Sequence, residues 1–260
     1  MKSIGKYFLV LIGTILFTVT GLNNKAIAKT ISMSQYEVLP YMGKDLPGGG
    51  PLIHFIKSLF ESMGHEVKIT WFPHKRAYMN IMKERSDCSA GWNKLPERES
   101  EVLFSDTILF ETVYLYHLKS NEIQWESIGD LKGQRIGIKL GAAIYGNAFF
   151  SAVKKNKIDI DYALNDIQNL KKLFAKRIEI VPLSKINAGY FLKSNFSNEE
   201  MNLITFHPKP LCQSSFHLIF SNENKPLMEA FNAAFLKAGG RKLFNEKIKK
   251  MSQSAQKAKK

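Results

Sequence analysis

The residues able to do acid, base, nucleophilic or metal chemistry are present in this chain, but their spacing does not assemble them. Six histidines, His54, His65, His74, His117, His207 and His217, show no metal-ligand spacing with one another or with Cys88 and Cys212. No structural metal is expected, and no motif asks for a cofactor. Glu37, Asp45 and Glu111 lie near strand ends as candidate acids, yet no carboxylate pair, Ser/His/Asp set or Cys/His set can be built from spacing. The pattern points to binding without turnover. Each cysteine sits in a stretch that reads as buried strand or its edge, Asp87 to Trp92 and Leu211 to Phe220, where a thiol serves as a small apolar filler. Two free thiols are expected.

The chain that must position these groups has 260 residues, 45% of them hydrophobic and 23% charged, enough for a sizeable core and too apolar for disorder. Lys2 and Lys6 precede an uncharged apolar run from Tyr7 to Leu22, and a polar stretch then ends in Ala26-Ile27-Ala28. Positive, apolar and small-residue segments in that order predict a secretory signal over residues 1–28, cut after Ala28. The run is short for a membrane span, and the mature protein is expected to be periplasmic. Loss of Lys2, Lys6 and Lys25 lowers the formal net charge by three, from +14 to +11. Eight basic residues between Arg241 and Lys260, against Glu246 alone, account for much of the remainder. Without interleaved aromatics beyond Phe244, that tail reads as a solvated end and not as a nucleic-acid patch.

Strands and helices alternate along the middle of the chain. Thr30 to Val38 reads as a strand, and Pro40, Pro47 and a triple glycine make the segment from Leu39 to Gly50 a loop. Apolar residues recur at helical spacing from Pro51 until Gly64 ends the run. Val67 to Phe72 (strand), Lys75 to Lys83 (helix) and Cys88 to Trp92 (strand) complete a βαβαβ unit, which implies parallel pairing. A second unit follows the DLKG turn at Asp130: strand Arg135 to Lys139, helix Ala143 to Lys154, strand Ile158 to Tyr162, helix Asp166 to Phe174 and strand Glu179 to Pro182. Phe216 to Ser221 then returns as a strand, leading into an Asn224-capped amphipathic helix. Two open α/β units predict two lobes with a ligand between them, because sites in such sheets lie outside the carboxyl ends of strands.

Four strings then read together: EVLPYMGKDLP from Glu37, PHKRA from Pro73, PER from Pro96 followed by FSD from Phe104, and DLKGQRIG from Asp130. In order and spacing they resemble a bacterial periplasmic solute-binding protein of family 3, the polar-amino-acid type, over essentially all of the mature chain. The resemblance implies a clamshell of two lobes, each an open, mostly parallel sheet flanked by helices. It divides the chain into a first lobe over 29–118, a second over 119–215 and a return to the first over 216–260. It also implies a monomer that captures a small solute in the cleft and hands it to an ABC permease, with no nucleic-acid partner. Delivery to a membrane sensor, or a lyase derived from the same clamshell, are the alternatives.

Residue by residue, Arg98 falls where the family's arginine grips a ligand carboxylate, and a guanidinium presents two parallel donors to such a plane. Its competing reading is a surface pair with Glu97 or Glu101. Asn93 falls where the family often has a hydroxyl donor. Gly141, Ala142 and Ala143 fall where backbone N–H groups at a helix start meet the ligand from the other lobe, without the family's threonine. Tyr41 and Trp92 are candidates to stack on the ligand, and His74 and Arg76 to add positive charge. Ser184 stands where the family's aspartate pairs with a ligand ammonium. A hydroxyl cannot neutralise a buried ammonium, so the cleft is expected to prefer acidic or neutral-headed solutes unless Asp45, Glu111 or Glu179 supplies the charge.

Overall fold

The computed structural model describes residues 29–142, 144–246 and 248. The expected signal segment, Ala143 and most of the basic tail lie outside them. The first unit runs β1 (Thr30–Gln35), α1 (Pro51–Ser62), β2 (Glu66–Trp71), α2 (His74–Met82) and β3 (Cys88–Trp92), followed by the single turn α3 (Pro96–Glu99) and the short β4 (Leu103–Phe104). β5 (Leu109–Leu118) leads to the second unit: β6 (Arg135–Lys139), α4 (Gly146–Asn156), β7 (Asp159–Ala163), α5 (Asp166–Phe174) and β8 (Val181–Ser184). Helices α6 (Lys185–Asn195) and α7 (Asn198–Leu203) precede the 17-residue β9 (Ile204–Phe220), and α8 (Lys225–Lys237) and a helix over 240–246 complete the described chain.

The parallel pairing expected of each unit is present. β1 pairs with β2 from Thr30↔Glu66 to Gln35↔Trp71 and touches β3 at Met33↔Cys88. β6 pairs with β7, and Ile136 bridges in parallel to Ile180. The antiparallel strands β5 and β9 join the units: β9 pairs with β3 and β4 through its last residues and with β5 and hence β8 through the rest. One sheet of order β2-β1-β3-β9-β5-β8 results.

The core divides where these two strands cross. Leu109, Phe216 and the apolar faces of α1 and α8 belong to one cluster, whereas Val113 and Leu115 belong to a second around β6 and α4. A third, with Tyr116, Leu170, Leu183 and Phe191, packs α5 and α6 on the other side of β5 and β8. Helix α1 shows why the sequence folds this way. Pro51 occupies its first turn, six apolar side chains from Leu52 to Phe60 are buried, and Gly64 follows its end at φ +84°. Each such side chain contributes about 1.5–3 kcal/mol by burial.

Two boundaries differ from expectation in ways that matter for function. α4 begins at Gly146, so Gly141 and Ala142 lie in a turn ahead of the helix and not at its start; Gly141 has φ +76°. β8 begins at Val181, so Ser184 is both its last residue and the N-cap of α6.

Candidate functional site

Gly91 sets the geometry of the first station. At φ +83° it sits at a break in the β3–β9 register between Ala90 and Trp92, and a Cβ there would lie 2.2 Å from Cε of Met42. Only glycine fits this bulge, which re-aims the next side chain. Trp92 is thereby buried to 1% exposure with its Nε1 donating to Ser89 Oγ at 2.7 Å. The rings of Tyr36, His74 and Tyr78 surround it at 4.7, 4.6 and 5.1 Å. Tyr36 is fixed by its hydroxyl, which donates to the Gly91 carbonyl.

Over this cluster lies Arg98. Its guanidinium carbon is 5.2 Å from the Trp92 centroid and 5.5 Å from Tyr78, and Nη1 donates to the Asn93 carbonyl at 3.1 Å. Among the described residues no carboxylate pairs with it. The competing partner Glu101 instead accepts the Tyr78 hydroxyl at 2.7 Å. The half-buried guanidinium is thus held by π faces and one carbonyl, which orient it without neutralising its charge. His74 corrects an expectation. Although one side is open to solvent, packing against the rings, then the charges of Arg98 and Lys139, push its pKa down to about 4. It adds an aromatic surface at neutral pH and no positive charge. Arg76 is exposed over the Phe72 ring at 5.2 Å, apart from the Trp92 cluster.

The second station lies where β5 passes between the cores. Glu111, between Leu109 and Val113, is 4% exposed. Its Oε1 accepts the Tyr41 hydroxyl at 2.8 Å and lies 2.5 Å from Ser184 Oγ. The acid missing at position 184 is therefore present beside it, carried by another strand, while Asp45 is exposed and Glu179 accepts the Arg135 backbone N–H at 2.7 Å. Burial pushes the Glu111 carboxyl above its ordinary range and Asp166 adds to the rise, against hydrogen bonds from Ser184 and Tyr41 and the charge of Lys139. Tyr41 does not present its ring for stacking: it is 1% exposed, edge-on to Phe216.

Asn93 connects the stations. Its Nδ2 donates to Ser214 Oγ at 2.8 Å and to the Ser215 carbonyl at 3.1 Å, and Ser214 is the cross-strand partner of Glu111. In the other unit the Ala142 N–H donates to the Lys139 carbonyl, and no contact of Gly141 or Ala142 with either station is seen among the described residues. The charge of Lys139 acts on His74, Glu111 and Asp166, which belong to three different elements. Sequence reading passed over Lys139, although it ends β6, where strand ends in open α/β sheets meet ligands. It also passed over Tyr78, four residues after His74 on the same helix face. Ala143 is outside the described residues. No group of three or more His, Cys, Asp and Glu among the described residues could hold a metal ion, and Cys88 and Cys212 are free.

No protein-family model matches the chain, and no curated protein matches it in sequence. Solved structures do. An ancestral arginine-binding protein bound to arginine superposes with a TM-score of 0.69 at 19% identity, over 85% of this chain and 97% of that one. A histidine-bound substrate-binding protein of an ABC uptake transporter from Streptococcus pneumoniae gives 0.68 at 21%, over 85% and 91%. A histidine kinase sensor domain with similarity to periplasmic binding proteins gives 0.70 at 13%, over 84% and 95%. The fold is the two-lobed, periplasmic-binding-protein-like clamshell. The resemblance to family 3 solute-binding proteins holds for that architecture across most of the chain.

Proposed function

We propose that this chain is an exported solute-binding protein. It captures a small polar, carboxylate-bearing solute, an amino acid or related organic acid, between its lobes and delivers it to an ABC permease. The observation that carries this reading is Arg98, a cation without a carboxylate partner among the described residues, oriented by Trp92, Tyr78 and the Asn93 carbonyl. A ligand carboxylate would complete it with two parallel hydrogen bonds. We take residues 29–118 with 216–260 as one lobe and 119–215 as the other, with β5 and β9 as the hinge; the separate core clusters around α1 and around α4 support a two-lobe division. Cleavage after Ala28 and release into the periplasm belong to the same reading. No helix among the described residues is long and apolar enough to cross a membrane.

The expectation that free amino acids are disfavoured is kept: Glu111 places a carboxyl group against Ser184, but burial pushes that carboxyl toward its neutral form, which cannot neutralise a ligand ammonium. Acidic and neutral-headed solutes are accordingly expected to bind more tightly than free zwitterions. Thermal-shift screening across amino acids, dicarboxylates and N-acylated compounds, followed by calorimetry, tests the reading, since a bound solute raises apparent stability by mass action. Mass spectrometry should return every binder unchanged; steady product formation would move the protein to the lyase class. The sensor-domain neighbour supports one second reading, delivery of the loaded protein to a membrane sensor. Pull-down of the loaded protein with a permease or with a sensor kinase separates the two.

A further inference from the structure

Ser184 has one hydroxyl proton and two oxygen neighbours that require it. Its Oγ is 2.5 Å from Glu111 Oε1 and 2.6 Å from Asn187 Oδ1, and it also accepts the Asn187 backbone N–H at 3.2 Å. Were Glu111 ionised, it would take the Ser184 proton, leaving Oγ and Asn187 Oδ1 facing each other with no hydrogen between them. Rotating the Asn187 amide would not help. Its Nδ2 donates to the Leu39 carbonyl at 3.0 Å, and the exchange would set two oxygens against each other there. A neutral Glu111 satisfies every contact: its O–H donates to Ser184 Oγ, Ser184 donates to Asn187 Oδ1, and Asn187 donates to Leu39.

This chain runs from the strand joining the lobes, through the start of α6 in the second lobe, to the loop after β1 in the first. Leu39 packs its side chain on the core cluster around α5 and α6, so the same loop makes both polar and apolar contacts across the cleft. We propose that Glu111 carries a proton while the lobes are in contact and that this proton latches the lobes together through Ser184, Asn187 and Leu39.

The surroundings of Glu111 agree with this. Tyr41 from the loop after β1 donates to it, Asp166 from α5 opposes its ionisation and Lys139 from β6 favours it. Tyr145 ahead of α4 and Cys212 on β9, the other titratable groups facing it, are themselves shifted upward chiefly by burial and stay neutral. Burial is the largest influence on Glu111 and keeps it protonated above the ordinary glutamate range. The sign follows: the latch is complete at low pH and is lost as pH rises through the raised pKa. One proton can change the ratio of latched to unlatched molecules by at most about tenfold per pH unit.

The test uses ligand-free protein, so its outcome is independent of the solute and of Arg98. Small-angle scattering across a pH series should show wild type expanding as pH rises above the ordinary glutamate range. Glu111→Gln, whose amide can donate to Ser184 at any pH, should stay compact throughout. Asn187→Ala, which cuts the latch beyond Glu111, should be expanded without a transition. Carbon NMR of labelled glutamate carboxyls should find one resonance, absent in Glu111→Gln, titrating above the others. A Glu111 carboxyl that titrates with the surface glutamates, or a wild-type transition retained in Glu111→Gln, would overturn the proposal while leaving the solute-binding reading untouched.

Discussion

Arg98 and Glu111 are opposite charges treated in opposite ways by one fold. Arg98 keeps its charge: aromatic faces and a single carbonyl hold it, and no described acid neutralises it. Glu111 is buried to 4% exposure, and that burial favours the uncharged acid against the hydrogen bonds from Ser184 and Tyr41. A guanidinium tolerates partial burial because its charge is delocalised and its faces stack, whereas a carboxylate removed from water either finds a cation or takes up a proton. The difference assigns different work to two polar groups linked by Asn93 and Ser214: one waits for an anion, the other ties the lobes together.

The predictions attack that contrast from the largest effect downward. Removing the support under Arg98 by Trp92→Ala should lower folding stability by about 3–5 kcal/mol, measured by chemical denaturation, because the ring is fully buried. Arg98→Ala should instead leave the denaturation midpoint close to wild type and weaken solute binding by about 2–5 kcal/mol in calorimetry. A large stability loss with unchanged affinity would make Arg98 structural and erase the contrast. Glu111→Ala strands the Tyr41 and Ser184 hydroxyls and should lower stability by about 1–3 kcal/mol, with Glu111→Gln nearer wild type.

His74 gives a smaller, pH-dependent effect. Its pKa is lowered by burial, so the folded state prefers the neutral ring, and its contribution is intact above the ordinary histidine pKa. That contribution should fade as pH drops from there toward about 4. Solvent on its open side reduces the size of the effect. Thermal unfolding of wild type and His74→Gln should diverge least at acid pH and most near neutrality. At the bottom of the scale, Arg135→Ala removes an exposed pair with Asp159 and should not measurably shift the unfolding midpoint.

The parts of the fold legible in sequence were those with local patterns. The 3.6-residue periodicity from Leu52 to Phe60 marked α1, and the bounds read for β3, β6 and α5 coincide with those of the structure. The strand expected over Phe216 to Ser221, with the stretch from Leu211 read as strand or its edge, is only the end of β9; Pro208 and Pro210 coincide with irregularities in the register opposite β5 and the strand continues through them. The early start assigned to α4 came from the helix-forming Ala142 and Ala143 ahead of Gly146. At the site, Arg98, Trp92 and Asn93 are near neighbours in sequence and the structure brings them together. Glu111 was legible only as one of three acids that could stand beside Ser184; spacing could not choose it, since Tyr41 and Ser184 lie 70 and 73 residues away and Ser184 is brought close by the pairing of β5 with β8.

The central claim is that Arg98 binds a ligand carboxylate, and a double-mutant cycle tests it most directly. Calorimetry would compare the tightest solute from the thermal-shift screen with its methyl ester, on wild type and on Arg98→Ala. The account predicts that esterification and mutation each weaken binding by about 2–5 kcal/mol and that, once either is made, the other adds little. Additive losses, or an ester that binds wild type as tightly as the free acid, would contradict it.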